Sequence, residues 1–233
     1  MQRRKKPVYK ALNANDNYGD RKIMKNGFIY PLFDSVVRFA YYCNLVELFK
    51  FLAKLCVGVY KKGEASIEDQ VQACNIAIDT YQIFKWVALL VLWKLDVKHQ
   101  AALMATYYLL ASNLFTYFYY HVWGSRYKQR VDRETLNRKF LNAMLAISYY
   151  LACYAYLYHV HFSSEIVWPE NLVDSTNAIY LSVANAFTLT YGGFSPLTQE
   201  IRMVFMSQLI NTFLFFTIII SNSIPNHAGK EQQ

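Results

Sequence analysis

Long apolar stretches without any Asp, Glu, Lys or Arg dominate the second half of the chain. Three windows have this pattern: 101–123, 140–162 and 203–224. A helix rises about 1.5 Å per residue, so about 20 residues cross a hydrocarbon core of about 30 Å. A chain of 233 residues is too small to enclose three such helices on all sides in a soluble core. Each window is therefore predicted to be a transmembrane helix.

A fourth span is predicted over residues 76–95, an apolar stretch that is interrupted by Asp79 and Lys85. Charged residues inside a span usually face the helix bundle. We therefore expect both side chains to pair with polar groups of neighbouring spans. Trp86 and Trp93 in the same stretch are typical of anchors at the membrane interface.

The segment 28–60 mixes apolar and charged positions. On a helix, Arg38 points away from the face that carries Glu47, Lys50 and Lys54. This pattern predicts an amphipathic helix that is broken near Asn44 and lies on the membrane surface. One or two further spans in this segment remain an alternative.

Composition agrees with a membrane protein. Charged residues make up 17% of the chain, hydrophobic residues 55% and aromatic residues 17%, whereas soluble proteins average about 25% charged residues. The mean hydropathy of only +0.08 averages a polar, basic first half with an apolar second half. We predict an all-α polytopic membrane protein with membrane lipid as its surroundings.

The basic residues predict the orientation of the spans. All but two of the 24 Lys and Arg residues lie at or before Lys139; residues 124–139 are rich in them, and residues 163–201 contain none. The positive-inside rule places the first of these loops in the cytoplasm and the second outside. With four spans in the cell membrane, both termini are then cytoplasmic.

The sequence does not favour two other functional classes. The net charge of +8 comes without a nucleic-acid-binding motif, so no nucleic-acid partner is expected. No phosphate loop, nucleophile elbow or HExxH motif occurs, so we predict that the protein is not an enzyme and has no cofactor.

His159 and His161 diverge by about 200° on a helix and are interpreted as interface histidines, with pH sensing as the alternative.

The segment 174–202 is apolar but too interrupted to cross the bilayer again. Ser175 is predicted to cap a helix of about 12 residues that ends near Thr188, which is about 18 Å or half a membrane. The sequence TYGGFSP then ends the helix. Irregular backbone at membrane depth needs protein or water around it, so a re-entrant pore loop is predicted.

These residues resemble the pore domain of the tetrameric potassium channel superfamily. Its pattern is an aromatic-Ser segment, then TVGYGD, a Pro three residues later, and an Arg and a Gln in the inner helix. This chain has, at matching spacing, Tyr180, Ser182, Thr188-Leu189-Thr190-Tyr191-Gly192, Gly193 in the Asp position, Pro196, Arg202 and Gln208. The resemblance covers about residues 140–224.

The resemblance implies a homotetramer with one central pathway for a monovalent cation, K⁺ in that family. Backbone carbonyls from four subunits would replace the hydration shell of the ion. By position, the filter residues would be Thr188, Leu189, Thr190, Tyr191 and Gly192. Gly193 and Pro196 would support the filter.

The last span carries a helical face that includes three amides. Its members recur at spacings of three or four: Gln208, Asn211, Phe215, Ile218 and Asn222. Polar residues within a span usually face water or a bundle interior. We predict that this face lines the pore; hydrogen bonding between helices of an ordinary bundle is the alternative.

The chain also departs from the family pattern. Thr190 replaces the first filter glycine, a position where a β-branched residue is strained by roughly 1–2 kcal/mol. Gly193 replaces an acidic residue, and the inner helix has no glycine hinge. A less selective or non-conducting filter therefore stays open. So does a second class, a non-conducting multi-span interaction subunit or a small transporter.

Five segments follow from these predictions. They are a basic cytoplasmic tail (1–27), an amphipathic interfacial segment (28–75), two transmembrane helices with a basic loop (76–139), a potassium-channel-like pore domain (140–224) and a cytoplasmic tail (225–233).

Overall fold

The structure is a computed structural model that describes residues 28–61, 66–123, 133–189 and 192–223. The two predicted tails, 1–27 and 225–233, and most of the predicted basic loop lie outside the described residues. The described chain is almost entirely helical and divides into two compact units. One unit comprises residues up to 43 together with 47–78, and the other comprises 44–46 and the chain from 79 onward.

The first unit contains helix α1 (Ile29–Tyr42), most of helix α2 (Leu45–Tyr60) and the start of helix α3 (Ile67–Lys94). The chain leaves the helical conformation between α1 and α2, so the predicted break near Asn44 is confirmed. Local ion pairs stabilise both helices: Arg38 binds Asp34 at 2.6 Å and Lys50 binds Glu47 at 2.8 Å. The position of these helices on a membrane surface stays a prediction.

Helix α3 begins nine residues before the predicted start of the fourth span. Ser66 and Asp69 form a reciprocal cap: the Asp69 amide donates to Ser66 Oγ at 3.2 Å, and the Ser66 amide donates to Asp69 Oδ2 at 3.0 Å. Such a capping box satisfies amide groups that have no partner inside the helix. The result is a single helix of 28 residues.

The second unit contains the rest of α3, three further long helices and one short helix. Helix α4 (Gln100–Phe118) ends in a π-helical turn (Tyr119–Trp123), and helix α5 (Arg133–Tyr156) ends in another (Leu157–His161). The chain continues through a linker into helix α6 (Ser175–Ala186) and finishes with helix α7 (Gln199–Ser223). Strand β1 (Ile166–Val167) precedes α6 in the sequence and strand β2 (Ser195–Pro196) follows it, and the two strands pair antiparallel.

Three helices in the described part of the chain are long and apolar enough to cross a membrane: Ile67–Lys94, Phe140–His161 and Gln199–Ile219. They match the predicted spans over 76–95, 140–162 and 203–224. The window 101–123 is helical, as predicted, but α4 is not among these three. Its many Tyr, Thr, Ser and Asn residues reduce its hydropathy, so α4 as a crossing remains a proposal.

Helix α5 forms the centre of the second unit. Its tyrosines Tyr149, Tyr154, Tyr156 and Tyr158 are almost fully buried. Buried tyrosines usually need a partner for the hydroxyl. Tyr154 Oη lies 2.9 Å from Ser207 Oγ of α7, and Tyr156 donates to the Val97 carbonyl at 2.8 Å. Tyr154 and Tyr156 are therefore accommodated because α7 and the connection between α3 and α4 supply partners for their hydroxyls.

A second polar cluster joins α3, α4 and α5 around Lys85, which is only 1% exposed. Its ammonium donates to Asn113 Oδ1 at 2.7 Å and lies 4.5 Å from the centre of the Tyr149 ring. Asn113 in turn donates to the Ala146 carbonyl at 2.9 Å. The prediction that Lys85 pairs with a polar group of a neighbouring helix is confirmed. Asp79 is exposed, and its pairing stays a prediction.

We predict that Asn113→Leu lowers the free energy of unfolding by about 2–3 kcal/mol, because it leaves a buried ammonium without its acceptor. Lys85→Met should change it by only about 1 kcal/mol, because it removes the charge itself. The double variant should therefore be more stable than Asn113→Leu alone. Unfolding by SDS in detergent micelles measures all three. A double variant as unstable as the sum of the two would contradict this account.

Candidate pore region

Helix α6 is the predicted half-membrane helix. It has 12 residues, and Asp174 caps it by accepting a hydrogen bond from the Asn177 amide at 2.6 Å. The prediction that Ser175 is the cap is wrong by one residue, because Asp174 has the extended backbone of an N-cap residue, whereas Ser175 is already the first residue of the helix. Twelve residues give a length of about 18 Å.

The C-terminal end of α6 is a Schellman motif. The Thr188 amide donates to the Asn185 carbonyl at 3.1 Å, and the Leu189 amide donates to the Ala184 carbonyl at 2.8 Å. Thr188 has φ +54°, a left-handed conformation that this motif usually gives to glycine. A β-branched residue there stores roughly 1–2 kcal/mol of strain. Backbone strain of this kind is concentrated at functional sites.

The predicted filter residues are only partly described. Thr188, Leu189 and Gly192 are exposed in this single chain. Thr190 and Tyr191 lie outside the described residues. The described ends of the segment leave α6 and return toward β2, and their exposed positions are available to other copies of the chain.

The linker between α5 and α6 braces the chain after the filter. Gly193 has φ +89°, and a Cβ on it would lie 3.2 Å from Pro169 Cβ. The neighbouring ring of Phe194 packs on Trp168 with centroids 5.6 Å apart. Pro196, in β2, pairs with Ile166 of β1. The predicted support residues Gly193 and Pro196 are thus held by the linker.

Polar groups extend this brace. Leu197 donates its amide to the Glu165 carbonyl at 2.8 Å, and the Thr198 hydroxyl binds the Glu165 carboxylate. An open cavity of about 490 Å³ lies beside this contact, lined by Glu165, Thr198, Gln199, Glu200 and Met203. Two carboxylates in a cleft raise the local concentration of cations.

The predicted pore-lining face of α7 packs within the single chain at Gln208, Phe215 and Ile218, and its role in a pore stays a prediction. Gln208 is 0% exposed, and Phe215 and Ile218 are also buried within the chain. Asn211 is half-buried and donates to Tyr154 Oη at 2.9 Å. The Asn222 side chain lies outside the described residues. This face binds α5 and α6, as in the alternative of helix-to-helix hydrogen bonds.

Gln208 is the centre of a buried network. Its Nε2 donates to the Ser182 carbonyl at 2.8 Å and to Ser182 Oγ at 2.9 Å. Its Oε1 accepts from Asn185 at 2.7 Å and from the Tyr158 hydroxyl at 2.6 Å. One side chain of α7 therefore binds two residues of α6 and one of the π turn of α5.

Sequence reasoning missed most of this network. Ser182 also donates to the Leu151 carbonyl at 2.8 Å, and Tyr150 donates to the Gln208 carbonyl at 2.6 Å. The signal that was available is the spacing of four between Tyr150, Tyr154 and Tyr158, which places their hydroxyls along one stripe of a helix.

The opposite face of α7 is apolar and exposed. Phe213 is 69% exposed, and the other large members of this face are Met203, Met206, Ile210 and Leu214.

The sequence matches no protein-family model, and neither a curated protein nor a solved structure matches the chain.

We predict that Gln208→Leu lowers the free energy of unfolding by about 2 kcal/mol, because four buried hydrogen bonds are lost and their partners have no water. Asn211→Leu is the matched control, with one half-buried bond, and should cost about 0.5 kcal/mol. Unfolding in SDS measures both variants. Equal losses would contradict a special position for Gln208.

Neighbouring glycines allow a second test. Gly193→Ala should destabilise the protein by about 1–2 kcal/mol, because the alanine would need φ +89° and would press on Pro169. A Cβ at Gly192 meets nothing within 4 Å, so Gly192→Ala should change stability by less than about 0.5 kcal/mol. Thermal unfolding in detergent compares the two variants. A greater loss of stability in Gly192→Ala than in Gly193→Ala would contradict the support of Gly193 by the linker.

Proposed function

We propose that this chain is the subunit of a homotetrameric cation channel that conducts monovalent cations across the cell membrane, with K⁺ as the ion that the resemblance implies. The observation that carries the proposal is α6: a helix half a membrane long, held between two membrane-length helices and followed by a strained, glycine-containing segment. A bundle with structural roles alone needs no half-helix at membrane depth.

We propose four copies because one chain by itself cannot coordinate an ion from all sides. A single segment presents carbonyl groups on one side of an ion only, so coordination requires a ring of segments around a closed axis. Ile179 and Tyr180 of α6 and Leu189 after it are about half exposed. These apolar side chains are available to contact neighbouring subunits around the filter.

Electrostatics also supports a cation as the permeant ion. The C-terminal end of α6 carries the negative end of the helix dipole, which attracts a cation near Thr188. The carboxylates of Glu165 and Glu200 border the open cavity on the linker side of the pore region. The Lys- and Arg-free stretch 163–201 adds no repulsive positive charge.

We include α4 as a fourth crossing, with both termini in the cytoplasm. With its π turn, α4 extends over residues 100–123, longer than the about 20 residues that a crossing requires. Two of its polar side chains are held inside the chain: Ser112 and Asn113 are buried, and Asn113 binds Lys85 and the Ala146 carbonyl. The positive-inside rule assigns the basic loop to the cytoplasm, and four crossings then bring both termini to the same side.

A non-conducting membrane interaction subunit or a small transporter is the second candidate. The observation that favours it is the inward position of Gln208 and Asn211, which gives α7 an ordinary packing face. Thr190 in the first glycine position of the filter agrees with it. This candidate requires neither four-fold closure nor ion flux.

Flux of K⁺ and Na⁺ into liposomes that contain the purified chain tests the proposal. We expect flux in the wild type and at least a tenfold loss in Gly192→Ala, whose fold should be intact. The ratio of the two ions measures the effect of Thr190 on selectivity.

Native mass spectrometry in mild detergent is the companion measurement and should show four copies. Only monomers, or tetramers without flux under either direction of gradient, would favour the second candidate.

A further inference from the structure

Three histidines lie at the end of the bundle where α3 passes into α4. His99 is in the connection itself, and His159 and His161 are in the π turn of α5. The Trp93 indole nitrogen lies 3.2 Å from His159 Nδ1, and the two rings are 6.0 Å apart. The bond from Trp93 to His159 joins α3 to α5.

The hydrogen-bond roles at His159 follow from chemistry. An indole N–H is a donor only, so His159 Nδ1 must accept and therefore carries no proton. A second proton on the imidazole goes onto Nδ1 and sets a donor against the Trp93 donor. The bond between α3 and α5 cannot persist in the charged form of His159.

His161 has the opposite role. Tyr156 uses its only proton to donate to the Val97 carbonyl at 2.8 Å, so its oxygen can only accept from His161 Nε2, 3.2 Å away. A donating Nε2 keeps its proton when the ring becomes charged. This contact is therefore tolerant of acid.

His99 resembles His159. Its Nδ1 accepts from the Ala101 amide at 3.1 Å and caps α4. A backbone amide is also a donor only, and a positive charge at a helix N-terminus is repelled by the helix dipole. The charged form of His99 thus loses the cap.

The other charged groups at this end are few among the described residues. Asp96 and Lys98 in the connection bind one another at 3.3 Å and are exposed, and Lys94 ends α3. Tyr156 and His161 are the titratable groups beside His159 on α5. No carboxylate is within ion-pair distance of His159 in the described part of the chain, so none holds a charged His159 in place.

We propose that the hydrogen bond from Trp93 to His159 is an acid-sensitive latch between α3 and α5, which opens when His159 Nδ1 gains a proton, and that a proton on His99 Nδ1 removes the cap of α4. Histidine is the side chain that proteins commonly use to respond to acid. Protonation of the two histidines releases Trp93 from α5 and the start of α4 from its cap. The inference does not depend on the proposed function.

NMR of the full chain in lipid nanodiscs, with ¹⁵N-labelled Trp and His, tests the latch. Trp93→Phe assigns the Trp93 indole signal. In the wild type this signal should shift with a one-proton transition between about pH 8 and 5, and His159 should be the Nε2–H tautomer at the upper end.

Matched variants separate the three histidines. His159→Asn keeps an acceptor near the position of Nδ1 but cannot be protonated, so the Trp93 signal should no longer shift. His161→Gln should leave the shift unchanged. The melting temperature of the wild type should fall on acidification. His99→Asn combined with His159→Asn should abolish that fall.

Two results would overturn the latch. One is an Nδ1–H tautomer of His159 in the wild type, which requires no variant to fold. The other is a Trp93 signal that does not move on acidification, or that moves equally in His159→Asn.

Discussion

The binding of Gln208 to helix α6 is the interaction on which the pore region depends. A half-helix between two long helices has little apolar surface of its own and too few residues to be stable alone. Gln208 satisfies polar groups of Ser182 and Asn185 that would otherwise be buried without partners. Because water is excluded there, the Gln208 side-chain amide has a single orientation, and this fixes the position of α6 along α7.

Tyrosine is the second constraint. The hydroxyls of Tyr150, Tyr154 and Tyr158 bind the backbone or side chains of α7 and the Gln208 network. Apolar packing alone would let two lipid-embedded helices slide, since lipid is as apolar as their side chains. A stripe of directed hydrogen bonds gives α5 and α7 one register.

Gln208 and Asn211 were predicted to line the pore, whereas here they bind partners inside the chain, as Lys85 was predicted to do. Lys85 binds Asn113, Gln208 binds Ser182, and Asn211 binds Tyr154. The exposed surface of α7 is left with Met206, Ile210 and Phe213. In the proposed channel, the groups that coordinate an ion would come from the backbone of the segment after α6, where Thr188 adopts a strained conformation.

The amino-acid sequence by itself determined the helical, membrane-type character, the break near Asn44, three membrane-length helices and the half-helix before TYGGFSP, because hydrophobic period, capping residues and glycine act locally. It also grouped Gln208, Asn211, Phe215 and Ile218 on one face. Only the tertiary structure decided that this face turns inward, because helical periodicity records which residues share a side but not which neighbour that side meets. The contact between His159 and Trp93 could not be predicted for the same reason, because the two residues are 66 positions apart in the sequence.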